Sequence, residues 1–322
     1  MKLRLTLFIL LLPLVLQAQI DTTYIKEYTQ LYSIRLNFFD DFNSMTRDVD
    51  DVRIVLKSNN PNKLGFGVSW KNKSFRYSQG INWGMNDKKG KTTTYDFKYH
   101  SYKSTYFYDI VVQQLEGFYD KQKHADGTYT TYPDLNLKQI KLHGQYVFNN
   151  KKFSFKSSFG QSEKQVKSAG SFLLGGGIYY NRLKSKIIEV DDQTGFRIEN
   201  LQMGVSGGYA YTWVINSHLY LTGAGNLGLN VGSDSPWAQP FKHKISFYPS
   251  LYFRTAAGYD INSWSFATSF IINQTSLYNM PNKNFELDEG TLHFTVIKRI
   301  NWENEWLNKT LSKVFDEWLG IF

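Results

Sequence analysis

Cysteine is absent from the 322-residue chain. The protein therefore has no disulfide bond and no thiolate that could serve as a nucleophile or a metal ligand. A lipoprotein anchor, which needs a cysteine after the leader, is excluded as well. Whatever chemistry or stability the protein has must come from its other side chains.

Long apolar runs are also missing after the N-terminus. The one apolar run, Leu5–Leu16, follows Lys2 and Arg4 and precedes the small residue Ala18. It is shorter than the ~20 residues that a membrane helix needs. This pattern predicts a secretory signal peptide over residues 1–18, and hence an exported protein.

The sequence also lacks clusters of charged residues. The chain holds 37 basic and 28 acidic residues, a net charge of +9, but the basic residues are scattered. A solvated surface is therefore favoured over nucleic-acid binding. The six histidines show no H-x-H or H-x-x-x-H spacing, so neither a metal site nor a cofactor is expected.

One short match to a nucleotide-binding motif has the wrong context. The stretch LTGAGNLGLNVG contains G-x-G-x-x-G at Gly223, Gly225 and Gly228. That motif binds a dinucleotide only where a strand turns into a helix. Here apolar residues alternate with small or polar ones straight through the glycines, which predicts one long strand instead.

Aromatic residues are abundant, with 24 Phe, 22 Tyr and 8 Trp, and they recur at every second position. In SWSFATSFIIN, Trp264, Phe266, Phe270 and Ile272 alternate with serines and an asparagine. Strands with one apolar and one polar face, in an exported chain, are typical of an outer-membrane β-barrel. The sequence therefore predicts an all-β, antiparallel transmembrane barrel.

Turns and loops between these strands set the predicted boundaries. Short connections alternate with longer ones, among them Asp120–Leu137 and Ser276–Leu287, which are expected outside the cell. The count gives 12 strands over residues 51–300. It gives 14 if the stretch between Gln161 and Asn200, whose pattern is ambiguous, forms a hairpin. Residues 19–50 are predicted to be a periplasmic segment or a first strand.

The last segment, residues 301–322, has a helical pattern. Apolar residues recur at spacings of three and four, which predicts an amphipathic helix. Trp302, Trp306 and Trp318 are the expected membrane-interface residues of that helix. Packing beneath the barrel remains the alternative.

The polar faces of the strands predict the lining of the lumen. Its candidate residues are Arg76, Lys98, His100, Lys141, His143, Lys156, Lys244 and Arg254. A basic lining favours small anionic solutes, so a narrow anion-leaning channel is one expected function. The alternative is a lumen filled by hydrogen-bonded side chains, in a protein that serves as an envelope scaffold.

A dense polar motif lies in QVKSAGS. Gln165, Lys167, Ser168 and Ser171 form a candidate ligand-contact loop, since lysine and hydroxyl groups donate hydrogen bonds to anions. The other interpretation is structural, because small residues also permit a tight bend.

Three blocks of the sequence resemble a known family. YVFNNKKFSFKSSFGQSEKQVKSAGSFLLGGG (residues 146–177), SNNPNKLGFGVSW (58–70) and LEGFYD (115–120) are similar to motifs of the family called domain of unknown function 4421. The resemblance spans nearly the whole mature chain. It implies an outer-membrane barrel and supplies no catalytic residues.

Two other classes of function remain open. Outer-membrane barrels include lipid-modifying enzymes that use histidine as a general base, but His100, His143 and His293 lie on the predicted lumenal face. An exported soluble barrel that binds a small ligand is the other alternative. The expected partner is outer-membrane lipid, and the sequence indicates no particular protein partner.

Overall fold

A computed structural model describes the chain over residues 20–49, 52–70, 73–81, 83–190, 193–234, 245–280, 283–302 and 305–313. The predicted signal peptide lies outside these ranges. Within them, no helix has both the length and the apolar character needed to cross a membrane.

Fifteen strands follow one another along the described chain. They are β1 (Ile25–Glu27), β2 (Tyr32–Val49), β3 (Val52–Lys57), β4 (Asn62–Trp70), β5 (Lys73–Ile81), β6 (Thr93–Tyr102), β7 (Tyr106–Lys123), β8 (Tyr129–Val147), β9 (Glu163–Gln165), β10 (Ala169–Val190), β11 (Gln193–Val214), β12 (Leu219–Asp234), β13 (Ser246–Ile261), β14 (Trp264–Met280) and β15 (Lys283–Ile300). A 3-10 helix (Asp87–Lys89), a one-turn π-helix (Lys156–Gly160) and an α-helix, α1 (Glu305–Ser312), complete the described elements.

Ten of these strands close an antiparallel barrel. Their order around the ring is β2, β3, β7, β8, β10, β11, β12, β13, β14 and β15. The ring closes where β15 pairs with β2, from Ile300 opposite Tyr32 to Lys283 opposite Val49. We call the end of the barrel that holds Tyr32 and Ile300 the terminal end, and the opposite end the distal end. The predicted antiparallel barrel is confirmed.

The wall has two tiers next to β2. The distal part of β2 pairs with β3 over Ser44–Val49, and its terminal part pairs with β4 over Tyr32–Phe39. β4 continues to β5, and β6 pairs with the terminal half of β7. Between β2 and β7, the wall therefore contains three short strands (β4, β5 and β6) at the terminal end, but only β3 at the distal end.

This arrangement corrects the predicted strand count and the start of the barrel. Neither 12 nor 14 strands is confirmed, since ten strands form the ring and three half-length strands are added to it. The barrel begins at Tyr32 and not at residue 51, because β2 is one of its closing strands. Alternation is weak in β2, since Phe39 lies on the lumenal face and the exposed Asp40 on the outer face.

The alternation in FSFKSSFG (residues 153–160) predicts a strand, but the structure has none there. Phe153 and Phe155 alternate with polar residues, but the segment includes the π-helix. β8 and β10 pair directly, with Val147 opposite Leu173, so nothing between them crosses the wall. This false strand caused the ambiguous count between Gln161 and Asn200.

The predicted long loops at the distal end are mostly strand. β7 runs to Lys123 and β8 starts at Tyr129, while β14 runs to Met280 and β15 starts at Lys283. β10 and β11 each contain 22 residues, whereas a membrane crossing takes roughly 9–11. The hairpins at the distal end are therefore longer than a membrane crossing requires.

The outer face of the ring is apolar. Large exposed side chains on it include Leu36, Phe66, Phe97, Ile140, Leu142, Phe172, Val205, Leu227, Phe253, Phe266 and Phe294. Gly223 and Gly225 lie in β12 on this face, in register with Tyr211 and Tyr209 of β11. The glycine motif is thus part of a strand, as its alternation predicts.

The distal part of the lumen is filled by an apolar cluster. Met45, Leu56, Leu115, Phe118, Leu135, Leu137, Leu183, Phe285 and Leu287 are all buried and pack together. Leu115, Leu137 and Leu183 form a row across three neighbouring strands. Side chains in a close-packed cluster exclude water, so this layer fills the part of the distal lumen next to the strands that supply it, which are β2, β3, β7, β8, β10 and β15.

Candidate functional site: the lumen, its plug and its wall seam

A plug occupies the terminal end of the lumen. It consists of residues 148–168, which leave β8 after Val147 and return at the start of β10. Inside the plug, β9 pairs with β1 of the N-terminal segment. The Asp21 N–H also donates to the Lys151 carbonyl at 3.0 Å, so the start of the described chain holds the plug from below.

The wall binds the plug from several sides. Arg35 Nη1 of β2 donates to the Gly160 carbonyl at 2.9 Å, and Arg299 Nη2 of β15 donates to the Gln161 carbonyl at 3.1 Å. Ser158 Oγ lies 2.6 Å from Thr222 Oγ1 of β12. Carbonyls at the end of a helical turn lack partners within the turn, and the two arginines satisfy them here.

Aromatic rings seal the plug against the wall. The Phe155 ring lies 4.7 Å from Phe107 of β7 and 5.0 Å from Phe153, measured between centroids. All three side chains are buried, and Tyr102 of β6 packs against Phe155 at 6.4 Å. The plug is therefore a packed element of the core, like the interior of a soluble domain.

Charged pairs cross the middle of the lumen. Asp109 of β7 accepts from Arg254 of β13, five strands away around the ring of ten, and both side chains are buried. Lys141 of β8 pairs with Glu289 of β15. Such pairs connect strands that lie four and five positions apart around the ring, and so cross the lumen.

Amides extend this layer into a continuous network. Gln113 Nε2 donates to Glu289 at 2.7 Å and to Gln139 Oε1 at 2.5 Å, and Gln139 Nε2 donates to Asn181 at 2.8 Å. The His143 ring stacks on Tyr252 at 4.3 Å between centroids. Buried polar groups are tolerated because they are hydrogen-bonded to one another.

The sequence-predicted lining residues have varied surroundings. Arg76, Lys98, His100, Lys141, His143 and Arg254 all lie on lumenal strand faces. Lys156 belongs to the plug, where its Nζ lies 3.6 Å from Glu163, and not to a wall strand. Lys244 lies outside the described residues.

Two lumenal acids were missed by sequence reasoning. Asp41 lies on β2, which the prediction left at the edge of the barrel, and Glu289 follows a stretch that was assigned to a loop. Their carboxylates neutralise lysines that otherwise make the lumen basic. The alternation of β15 around Glu289 was the available signal.

A seam interrupts the wall between β5 and β6. β5 pairs only with β4, and β6 only with β7; among the described residues no backbone pair joins β5 to β6. Lumenal side chains bridge the gap instead. Lys63 Nζ of β4 contacts Asp96 of β6 at 2.8 Å and Asp41 of β2 at 3.0 Å, and Lys98 Nζ lies 3.4 Å from Asp41.

His100 is held beside this seam. Its Nδ1 lies 2.6 Å from Asp109 Oδ1, and its side chain is 41% exposed. A carboxylate that orients an imidazole in this way is the arrangement of a general base. Among the side-chain hydrogen bonds of the described residues, none joins His100 to a hydroxyl group.

The candidate ligand-contact loop has structural partners. Gln165 Nε2 donates to the carbonyls of Lys152 and Lys167 at 2.5 and 3.0 Å. Ser168 Oγ accepts from the Val214 N–H, and Ser171 Oγ accepts from the Asn149 N–H, both at 2.9 Å. The structure brings these groups together as the hinge between plug and β10, while the exposed Lys167 packs over the Tyr24 ring.

The C-terminal helix is described only in part. α1 covers Glu305–Ser312, and Trp302 and Trp306 are exposed. The Trp302 ring lies 6.1 Å from Tyr32 at the terminal end of the barrel. Trp318 and the rest of the predicted helix lie outside the described residues.

A family model matches residues 19–298. Its description is domain of unknown function (DUF4421). The chain belongs to this family. Among the curated proteins, no relative matches the chain.

The three blocks that resemble DUF4421 motifs meet at two places in the fold. Residues 146–177 contain the whole plug and its hinge. Residues 58–70 and 115–120 meet at the top of the seam, where the Asn59 N–H donates to Thr92 Oγ1 at 2.7 Å and Thr92 Oγ1 donates to the Gly117 carbonyl at 2.6 Å. The blocks that identify this DUF4421 chain therefore build its plug and its two-tiered wall.

The solved structures to which the chain is similar include two proteins described as outer-membrane proteins. The outer membrane protease OmpT from Escherichia coli is 9% identical, with a TM-score of 0.36, over 84% of this chain and 96% of that one. The outer-membrane expressed OmpT of Vibrio cholerae is 7% identical, with a TM-score of 0.30, over 84% and 99% of the two chains.

Proposed function

We propose that this protein is a sealed barrel of the bacterial outer membrane that serves as an envelope scaffold and does not conduct solutes. One observation carries the proposal: the lumen is filled at three levels. An apolar cluster fills the distal end, ion pairs and amides cross the middle, and the plug occupies the terminal end.

The outer face supports insertion in a membrane. Its apolar side chains surround the ring, and a water-soluble protein rarely exposes so large an apolar surface. The predicted signal peptide supports export. These features also disfavour the alternative of an exported soluble barrel, whose outer belt would face water.

The charge pattern does not favour an anion channel. Of the predicted lining cations, Lys98, Lys141 and Arg254 are each paired with a carboxylate, and Arg76, which has no ion pair among the described contacts, lies at the edge of the wall on β5. A selectivity ring acts on passing ions through charges that are free to face them. Paired charges instead cross-link the walls, as a scaffold requires.

Conductance of the refolded mature protein in a planar bilayer tests the proposal. We expect no stepwise current, with insertion confirmed by a heat-dependent shift in gel mobility. Stepwise currents with anion preference would overturn the sealed barrel and restore the channel. Failure to insert would overturn the membrane location.

Lipid modification is a second candidate because of the His100–Asp109 pair. Release of fatty acid from phospholipid vesicles tests it. If the barrel is a hydrolase, His100→Asn abolishes the release, because the general base is lost. His124→Asn is the matched control, since His124 is exposed in the distal loop and contacts Thr130.

A further inference from the structure

The seam between β5 and β6 differs from the other junctions between neighbouring strands of the wall in its hydrogen bonding. Elsewhere, neighbouring strands are joined by backbone pairs, whereas the facing edges of β5 and β6 have none among the described residues. The seam lies in the terminal half, where β5 spans Lys73–Ile81 and β6 spans Thr93–Tyr102. An edge without partners can separate without breaking backbone hydrogen bonds.

The outer side of the seam is apolar and aromatic. Tyr77 on β5 is 62% exposed, and Tyr95 and Phe97 on β6 are 70% and 61% exposed. Such side chains suit lipid acyl chains and the membrane interface. A molecule that reaches the seam from outside therefore arrives from the bilayer.

The lumenal side of the same seam is cationic. Arg35, Gly67 and Arg76 form one row across β2, β4 and β5. Gly67 has no side chain, so no side chain of β4 separates the two arginines in this row. Arg76 is exposed to the lumen, and no ion pair of Arg76 occurs among the described contacts.

Arg35 has a side-chain hydrogen-bond donor that lacks a partner. Its side chain is buried, and its Nη1 holds the plug at the Gly160 carbonyl, but its Nε is buried without a partner. A buried donor without a partner is costly. A ligand oxygen on this row would satisfy it.

We propose that the seam admits the headgroup of an anionic glycerophospholipid, and that Arg76 and Arg35 bind its phosphate. Both ends of the lumen are filled, so an anion reaches this row most directly through the wall. An anion that arrives through a membrane carries acyl chains, which stay outside against Tyr77 and Phe97. The inference rests on the membrane insertion proposed above.

The leaflet follows from the orientation of the barrel. Outer-membrane barrels extend their long connections outside the cell and keep the other end in the periplasm. Here the β7–β8 and β10–β11 hairpins extend at the distal end beyond the length of a membrane crossing, so the terminal end is assigned to the periplasm. The seam therefore opens to the periplasmic leaflet. The salt bridges of Lys63 and Lys98 to Asp41 and Asp96 hold the two sides together behind the bound headgroup.

Native mass spectrometry of the refolded mature protein tests this site. The protein is released from micelles that contain phosphatidylglycerol or, in a parallel sample, phosphatidylcholine. We expect one retained phosphatidylglycerol and about tenfold weaker retention in Arg76→Gln, because a charge-assisted hydrogen bond to phosphate is lost. Arg53→Gln is the matched control, since Arg53 is an exposed arginine of β3 at the distal end.

Each other outcome identifies what has failed. Equal retention in Arg76→Gln and wild type would overturn the site, as would equal retention of the two lipids. Binding of inorganic phosphate without retention of phosphatidylglycerol would show a site for a free anion and overturn the lipid assignment. A sample without the heat-dependent gel shift has not inserted, and that result counts against the proposed function instead.

Discussion

At the scale of single residues, the lumen depends on charges that are satisfied by partners from other strands. Asp109 accepts from Arg254 across the bore and also contacts His100. Removal of one member of a buried pair leaves an uncompensated charge, which costs more than the pair itself contributes.

Arg254→Met should therefore lower the free energy of unfolding by about 3–5 kcal/mol. The double variant Arg254→Met with Asp109→Asn should recover part of this loss, because the stranded charge is gone. The urea midpoint of unfolding in lipid vesicles measures both. A double variant no more stable than Arg254→Met alone would contradict this account, and Arg53→Met is the exposed control.

Two glycines with similar backbone angles predict different costs. Gly117 has φ +94° and Gly127 has φ +84°. A Cβ at Gly117 would lie 2.3 Å from the Lys91 carbonyl oxygen, whereas at Gly127 the nearest atom is Lys123 Cε at 3.6 Å. Gly127→Ala should lower the free energy of unfolding by about 1–2 kcal/mol, because only its positive φ angle is unfavourable for alanine.

Gly117→Ala should be clearly more destabilising than Gly127→Ala, because it also displaces the Lys91 backbone beside Thr92. Refolding yield and urea midpoint of the two variants provide the comparison. Equal midpoints would mean that the contact between β7 and residues 91–92 adds nothing to stability.

At the scale of elements, the plug is a separate segment of the chain that packs inside the wall. Its fold depends on Phe153 and Phe155, which are almost fully buried. Phe159, in the same plug, is only partly buried, and its truncation should cost less.

Phe155→Ala should loosen the plug, since truncation of a buried phenylalanine costs about 3–5 kcal/mol. Trypsin should then cut after Lys156 or Lys164, both within the plug, while the wild-type protein resists. Mass spectrometry of the fragments locates the cuts. Phe159→Ala is the matched control, and equal resistance of all three proteins would show that the aromatic seal does not hold the plug.

Alternation in the sequence predicted the barrel because apolar residues at every second position place one face of each strand in apolar surroundings. It could not identify the plug, since Phe153 and Phe155 are buried by a folded turn at the same spacing of two. It also left residues 19–50 as either a periplasmic segment or a first strand, because Phe39 of β2 faces the lumen and weakens the alternation. The lumenal lysines were predictable by parity, but their partners Asp41 and Glu289 depend on strand order, which no local pattern specifies.

At the scale of the whole molecule, hydrogen bonding is uneven around the wall. β10 and β11 are paired along 22-residue strands, while β5 and β6 each have one unpaired edge. Amide exchange reports local opening.

Peptides from residues 73–81 and 93–102 should exchange faster than peptides from residues 169–190. Hydrogen exchange followed by mass spectrometry, on the protein in lipid nanodiscs, measures this difference. Uniform protection of all wall strands would mean that the seam is closed by backbone bonds.

The two-tiered wall also gives the barrel a shape. Because a barrel widens as strands are added, three strands in place of β3 make the terminal end broader than the distal end. A tapered body displaces more lipid from one leaflet than from the other. In the proposed membrane location, insertion of such a body is favoured where the bilayer curves toward its narrow end, and lateral pressure in the leaflet around the broad end acts on the seam.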